Sequence, residues 1–288
     1  MSLFPSLISV LLLSRIVYTF AEPFQIGGHF PIHISSGSLT DVDPKIERNG
    51  KAIKKTYTIY HQYATYLSVH FAEFDFDPEC WMIISDAAGS QEAFLAGYGR
   101  NNLSVFWAPH VEHDTMKLEL NCDDESKKAH FVIDDYVAGY QNIEKDRGKE
   151  RKRKVRGNNN LFLHRALAVC DSNELRNAQC YKDEFPIEYN SSRAVARVLV
   201  EGAGVCTGFL LRNNLLITNQ HCIKTNEQAL NSDYSFMYES SDGDCNTSGI
   251  NEFSGGHKLY YAKELVSVSK EYDYSIVRLY DNPTSVYG

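Results

Sequence analysis

After its first stretch the chain has no run approaching 18 apolar residues, so nothing later in it is suited to cross a bilayer as a helix. Glycine and proline are modest, 18 and 8 of 288 residues, and no heptad persists; collagen-like and coiled-coil classes are excluded. Positive charge is also short. The formal net charge of -8 argues against a general nucleic-acid binder. What is present, 43% hydrophobic, 12% aromatic and 23% charged residues, is the make-up of a folded chain long enough for two domains. The seven cysteines are an odd number, so at least one thiol has no partner within the chain.

Residues 1–21 read MSLFPSLISVLLLSRIVYTFA. Leu7 to Leu13 is too short to span a membrane and Arg15 breaks the apolar run, while Ala21 offers a small residue for cleavage before Glu22. This is expected to be a signal peptide rather than a buried helix, since nothing polar alternates with the apolar run. The mature protein is then secreted and extracellular, with no membrane segment, in a compartment where cysteines pair. Asn102, Asn190 and Asn246 open Asn-x-Ser/Thr triplets and are candidate glycosylation sites.

Lys145 to Arg156 holds eight basic and two acidic residues, and Gly157-Asn158-Asn159-Asn160 follows. This reads as a solvated linker over residues 141–190. Cleavage at Arg153-Lys154-Val155-Arg156 by a protease that wants paired basic residues is an alternative, as are a nucleic-acid arm without aromatic interleaving and an error in the gene model. Upstream, Thr56–Tyr60, Leu67–Phe71, Lys117–Leu120 and Phe131–Ile133 alternate with period two, and Trp81–Ile84 reads as a buried strand. Many short strands separated by turn formers predict a β-sandwich over residues 22–140. Tyr66–Phe74 and Ile83–Asp86 loosely resemble the core strands of CUB-like extracellular modules. Cys80 and Cys122, the only cysteines in this part, are expected to pair. Asp75, Asp77 and Asp86 would suit calcium but read better as solvated turn residues. His110 and His113 have metal-like spacing but read as surface histidines, and no metal or cofactor is expected.

The chemistry lies downstream. Phe209–Leu211 and Leu215–Thr218 read as two strands joined at Asn213-Asn214, and His221-Cys222 follow directly. A bridge from Cys222 to Cys206, 16 residues earlier, would fix the backbone beside His221, as a general base requires. Fifty-one residues beyond Cys222, Asp273 precedes the half-buried strand Ser275–Leu279. A carboxylate buried there would hold the imidazole in the tautomer that takes a proton from a hydroxyl nucleophile.

The Cys-x-Gly hairpin ending in Thr218-Asn219-Gln220-His221-Cys222, with the later Asp273-Tyr274-Ser275-Ile276-Val277, resembles the trypsin-like serine proteases, in particular the branch of lysyl and glutamyl endopeptidases. The resemblance implies an all-β chain: a β-sandwich followed, over residues 191–288, by the first barrel of a trypsin-like fold. It implies His221 as general base, Asp273 as its orienting carboxylate, a Cys206–Cys222 bridge and a protein or peptide substrate. No Gly-x-Ser-Gly segment follows Asp273, and Ser254, within Phe253-Ser254-Gly255-Gly256, precedes it and reads as a loop serine. Cys170 and Cys180 would close a third bridge, leaving Cys245 for a partner elsewhere. The expectation is a secreted serine-type endopeptidase truncated before its nucleophile and inactive as written. The alternative is a non-catalytic pseudoprotease or binding module. The N-terminal part is then a targeting module or a propeptide released at the basic run.

Overall fold

The computed structural model describes residues 22–37, 40–140, 177–239 and 258–288. Residues 22–140 carry β1 (Phe24–Gln25), β2 (Gly27–Ser35), β3 (Lys45–Asn49), β4 (Ala52–Tyr60), β5 (Tyr66–Phe76), β6 (Cys80–Asp86), β7 (Glu92–Ala96), β8 (Phe106–Trp107), β9 (Val111–Glu112), β10 (Thr115–Cys122) and β11 (Ala129–Gly139). Strands β2 to β11 form two five-stranded sheets, β3-β4-β10-β6-β7 and β2-β11-β5-β8 with β9 against β5. Strand β10 shows why the sheets pack. Its burial alternates strictly, with Met116, Leu118, Leu120 and Cys122 inward and Lys117, Glu119 and Asn121 outward. Tyr57, Phe71, Phe74, Phe106 and Phe131 fill the space between the sheets. Cys80 and Cys122 face each other across β6 and β10 and are disulfide-bonded.

The second part begins with α1 (Pro186–Ser192), then β12 (Val195–Val200), β13 (Gly204–Leu210), β14 (Leu215–Thr218), α2 (Asn226–Leu230), β15 (Ser232–Phe236), β16 (Leu259–Ser269), β17 (Tyr274–Leu279) and α3 (Thr284–Tyr287). The order β13-β12-β15-β16-β17-β14 closes on itself because β14 also pairs with β13. The result is a six-stranded barrel without free edges. Val198, Leu216, Tyr234, Phe236, Tyr260 and Val277 fill it. At Gly208 the strands approach so closely that a Cβ would stand 2.6 Å from Leu216 Cδ2, which explains glycine two residues after Cys206. The all-β expectation holds.

Three details depart from the sequence reading. Residues 177–190, read as linker, include a 3-10 turn at Ala178–Tyr181 and the start of α1; Pro186 sets the first helical turn. Strand β1 extends the barrel sheet instead of the sandwich, pairing Phe24 with Val205 and Gln25 with Gly204. His110 is buried, not on the surface, because an acidic partner from the barrel reaches it: Asp233 accepts from His110 Nδ1 at 2.8 Å. His113 is exposed as expected. The signal segment, the basic run, Cys170, Cys245, Asn246 and Ser254 lie outside the described residues.

Candidate active site

Strands β14 and β17 run antiparallel, with Thr218 opposite Ser275. The residues just after β14 therefore meet those just before β17, and this brings two distant motifs together. His221 Nδ1 lies 2.8 Å from Asp273 Oδ2 and 3.1 Å from Oδ1. A carboxylate at this distance only accepts, so Nδ1 carries the proton and donates it, which leaves the Nε2 lone pair as the basic site. Among the described residues Nε2 has no hydrogen-bond partner.

Asp273 takes further donors. The main-chain N–H of His221 donates to Oδ1 at 3.0 Å, and Asn219 Nδ2 donates to Oδ2 at 3.1 Å. Burial pushes its carboxyl upward, but the bonds from the His221 main chain and ring and from Asn219 outweigh it and hold the group below its ordinary range. Asp273 itself sits at φ 48°, left-handed backbone that Asp tolerates better than most residues. Its side chain is 45% exposed, against 23% for His221. The carboxylate is thus less buried than the sequence reading expects.

The His221 segment is fastened on several sides. Cys206 and Cys222 form a disulfide. Ser275 Oγ, fully buried, donates to the Ile223 carbonyl, and Thr218 Oγ1 donates to the Thr207 carbonyl at 2.8 Å. Sequence reasoning gave no role to Asn219 or Ser275. Their signal was available, since both are polar residues flanking the His and Asp motifs at strand ends.

Cys206, His221 and Cys222 lie close enough to share a metal, but both sulfurs are in the bridge and have no thiolate to offer, so the group does not suit one. The aspartates weighed for calcium do not converge either. Asp86 is buried and accepts from Ser90 N, Ser90 Oγ and Gln91 N, while Asp75 pairs with Lys128 Nζ and Asp77 accepts from Lys128 N. Cys180 is disulfide-bonded. Asn102 and Asn190 are exposed.

Residues 171–287 match the family model of the lysyl endopeptidase C-terminal domain. The barrel and its His–Asp pair fall inside that match, which supports a relation to the lysyl endopeptidases. Across the longer chain, a relative named secreted RxLR effector protein 73, from Plasmopara viticola, is 26% identical over 246 residues, covering 81% of this chain. The chain spans 56% of that relative's length.

Proposed function

We propose that the chain is the His–Asp part of a secreted serine-type endopeptidase, in which His221 is the general base and Asp273 orients it. The observation that carries this is the 2.8 Å contact between His221 Nδ1 and Asp273, made beside a disulfide and within the matched lysyl endopeptidase region. In such a site His221 Nε2 accepts the proton of an attacking serine hydroxyl and later returns it to the leaving amine. Asp273, kept ionised, stabilises the imidazolium between those steps. No Gly-x-Ser-Gly segment follows Asp273 in these 288 residues, and no residue among them is assigned as nucleophile or oxyanion donor. The proposed substrate is a protein or peptide.

A second reading, a secreted binding protein on a peptidase-type barrel, draws on the similarity to a secreted effector. A serine-directed fluorophosphonate separates the two. The product of the gene's complete transcript is expected to label at one serine, and to lose labelling in His221→Ala. A full-transcript product that folds and stays unlabelled would favour the binding protein.

A further inference from the structure

The sandwich and the barrel meet across an interface of an unusual kind. Asp233, at the start of β15, is 4% exposed, and both of its oxygens are claimed by the sandwich. Arg100 Nη1 lies 2.8 Å from Oδ1 and His110 Nδ1 2.8 Å from Oδ2. Arg100 is itself buried, also donates to the Trp107 carbonyl, and lies over the ring of Tyr261 on β16. Around this core, Tyr66 Oη donates to the Gly202 carbonyl at 2.9 Å and the Trp107 N–H to Asn231 Oδ1 at 2.9 Å. Ile26, Tyr66, Trp107 and Val137 pack against Leu199 and Ala203. Gly202, at φ 75°, lets Trp107 come within 3.1 Å of where a Cβ would sit. On one flank β1 adds main-chain pairing to β13, and Glu22 pairs with Lys224.

A hinge between independently moving domains is small and polar. Here an ion pair, several hydrogen bonds and an apolar cluster are all buried between the two parts, which is more than a hinge holds. Three of the polar contacts fall on one stretch of the barrel. Lys224, Asn231 and Asp233 all lie just downstream of His221 and fasten the far end of its segment, which Cys222 and Asp273 hold at the near end.

We infer that residues 22–140 are a permanent, non-covalent partner of the barrel that holds the His221 segment in place, and not a propeptide that leaves after cleavage. A cut between the two parts then yields a two-chain protein. No disulfide can account for such cohesion, because Cys80 and Cys122, the only cysteines before the basic run, bond each other. The inference stands independently of the peptidase reading.

The test places a recognition sequence for a site-specific protease at Gly157–Asn160 of the mature chain. After complete cleavage, size-exclusion chromatography in native buffer is expected to return both pieces at the position of the uncut protein. Denaturant should separate them. In the cleaved protein, Asp233→Leu is expected to weaken association at least 100-fold. Tyr66→Phe, which keeps the shape and removes one hydroxyl bond, is expected to weaken it about fivefold. Amide exchange at Cys222 and Ile223 should rise when the pieces part. Separate elution of the wild-type pieces in native buffer would overturn the inference. So would a Tyr66→Phe protein as tightly held as wild type, or exchange at Cys222 and Ile223 that is the same in joined and parted pieces.

Discussion

Replacing Cys206 and Cys222 together by alanine removes a bridge that closes a 16-residue separation. In the chain-entropy picture a loop of this length restricts the unfolded chain by about 3 kcal/mol at 25 °C. The folded barrel keeps its other fastenings: the β13–β14 pairing, the Thr218 bond to Thr207 and the Ser275 bond to Ile223. The loss should therefore come mainly through the unfolded state. A loss of ~3 kcal/mol corresponds to a fall in Tm of about 6–12 °C for a chain of this size. The Cys80–Cys122 bridge provides the internal control. Its separation is 42 residues, worth about 4 kcal/mol in the same picture. Both of its cysteines are buried in the sandwich core, whereas in the barrel Cys222 is buried and Cys206 only partly so, and the Cys80–Cys122 replacement therefore loses more packing. Urea titrations of the two double variants, followed by circular dichroism under non-reducing conditions, should rank wild type above Cys206→Ala/Cys222→Ala and that above Cys80→Ala/Cys122→Ala. The reverse order of the two variants would refute the loop-length reasoning. So would a loss below about 1 kcal/mol at the His221 bridge.

Three further outcomes are expected. Asp233→Leu leaves Arg100 buried without its anion and should cost about 3–5 kcal/mol, while adding Arg100→Met should recover most of that in urea titrations; a double variant as unstable as the single would contradict the pairing argument. Burial, with the charges of Arg100 and Arg197, holds His110 below its ordinary value, so on acidification the unfolded chain takes up a proton that the native state refuses. Asp233 is pushed up by burial but held down more strongly by Arg100 and His110. Stability should accordingly fall as the pH drops below ~6.5 and again below the carboxylate range, and urea midpoints that do not change between pH 8 and 5 would exclude this. Asp273→Asn, at a half-exposed position, should cost no more than ~1 kcal/mol yet abolish the far-downfield proton resonance expected for His221 Nδ1–H, which proton NMR reads directly.

How far the sequence could be read follows from the range of each interaction. The strands were legible because alternation is local: Leu215–Thr218 and Thr56–Tyr60 carry their burial pattern in consecutive residues. The His221–Asp273 pair was legible through motif order, since each half carries its own neighbours. The His110–Asp233 contact joins residues 123 apart and left no local trace. His110 therefore read as a surface histidine by default, although a buried charged partner was waiting on the barrel. Strand β1 was misassigned for a related reason. Two residues are too few to show a period, and their partners, Gly204 and Val205, lie on the far side of the basic run. Local pattern fixes elements, whereas the docking of one unit on another rests on single polar side chains whose partners the pattern does not mark.

The register of β14 against β17 turns two strand ends into a site, and Gly208 controls that register from behind. With Thr218 opposite Ser275, position 221 reaches 273; a slip of one residue would move His221 by about 3.3 Å and reverse the facing of Thr218 and Ser275. Leu216 lies against Gly208, and an added Cβ would meet Leu216 Cδ2 at 2.6 Å and the Ile217 carbonyl at 3.3 Å. The nearer contact is a side-chain end that can turn away, but Leu216 is fully buried and has little room to do so. Gly208→Val should therefore push β14 off β13, with an overpacking cost of about 1–3 kcal/mol. Because β14 leads straight into Asn219 and His221, the same displacement should shift or broaden the His221 Nδ1–H resonance, without any change to His221 or Asp273. Gly208→Val with Leu216→Ala returns volume at the contact and should restore the resonance even if part of the stability stays lost. A Gly208→Val protein that is destabilised but keeps the wild-type resonance would show that the His–Asp geometry is set locally by the disulfide and Asn219, independently of the barrel register.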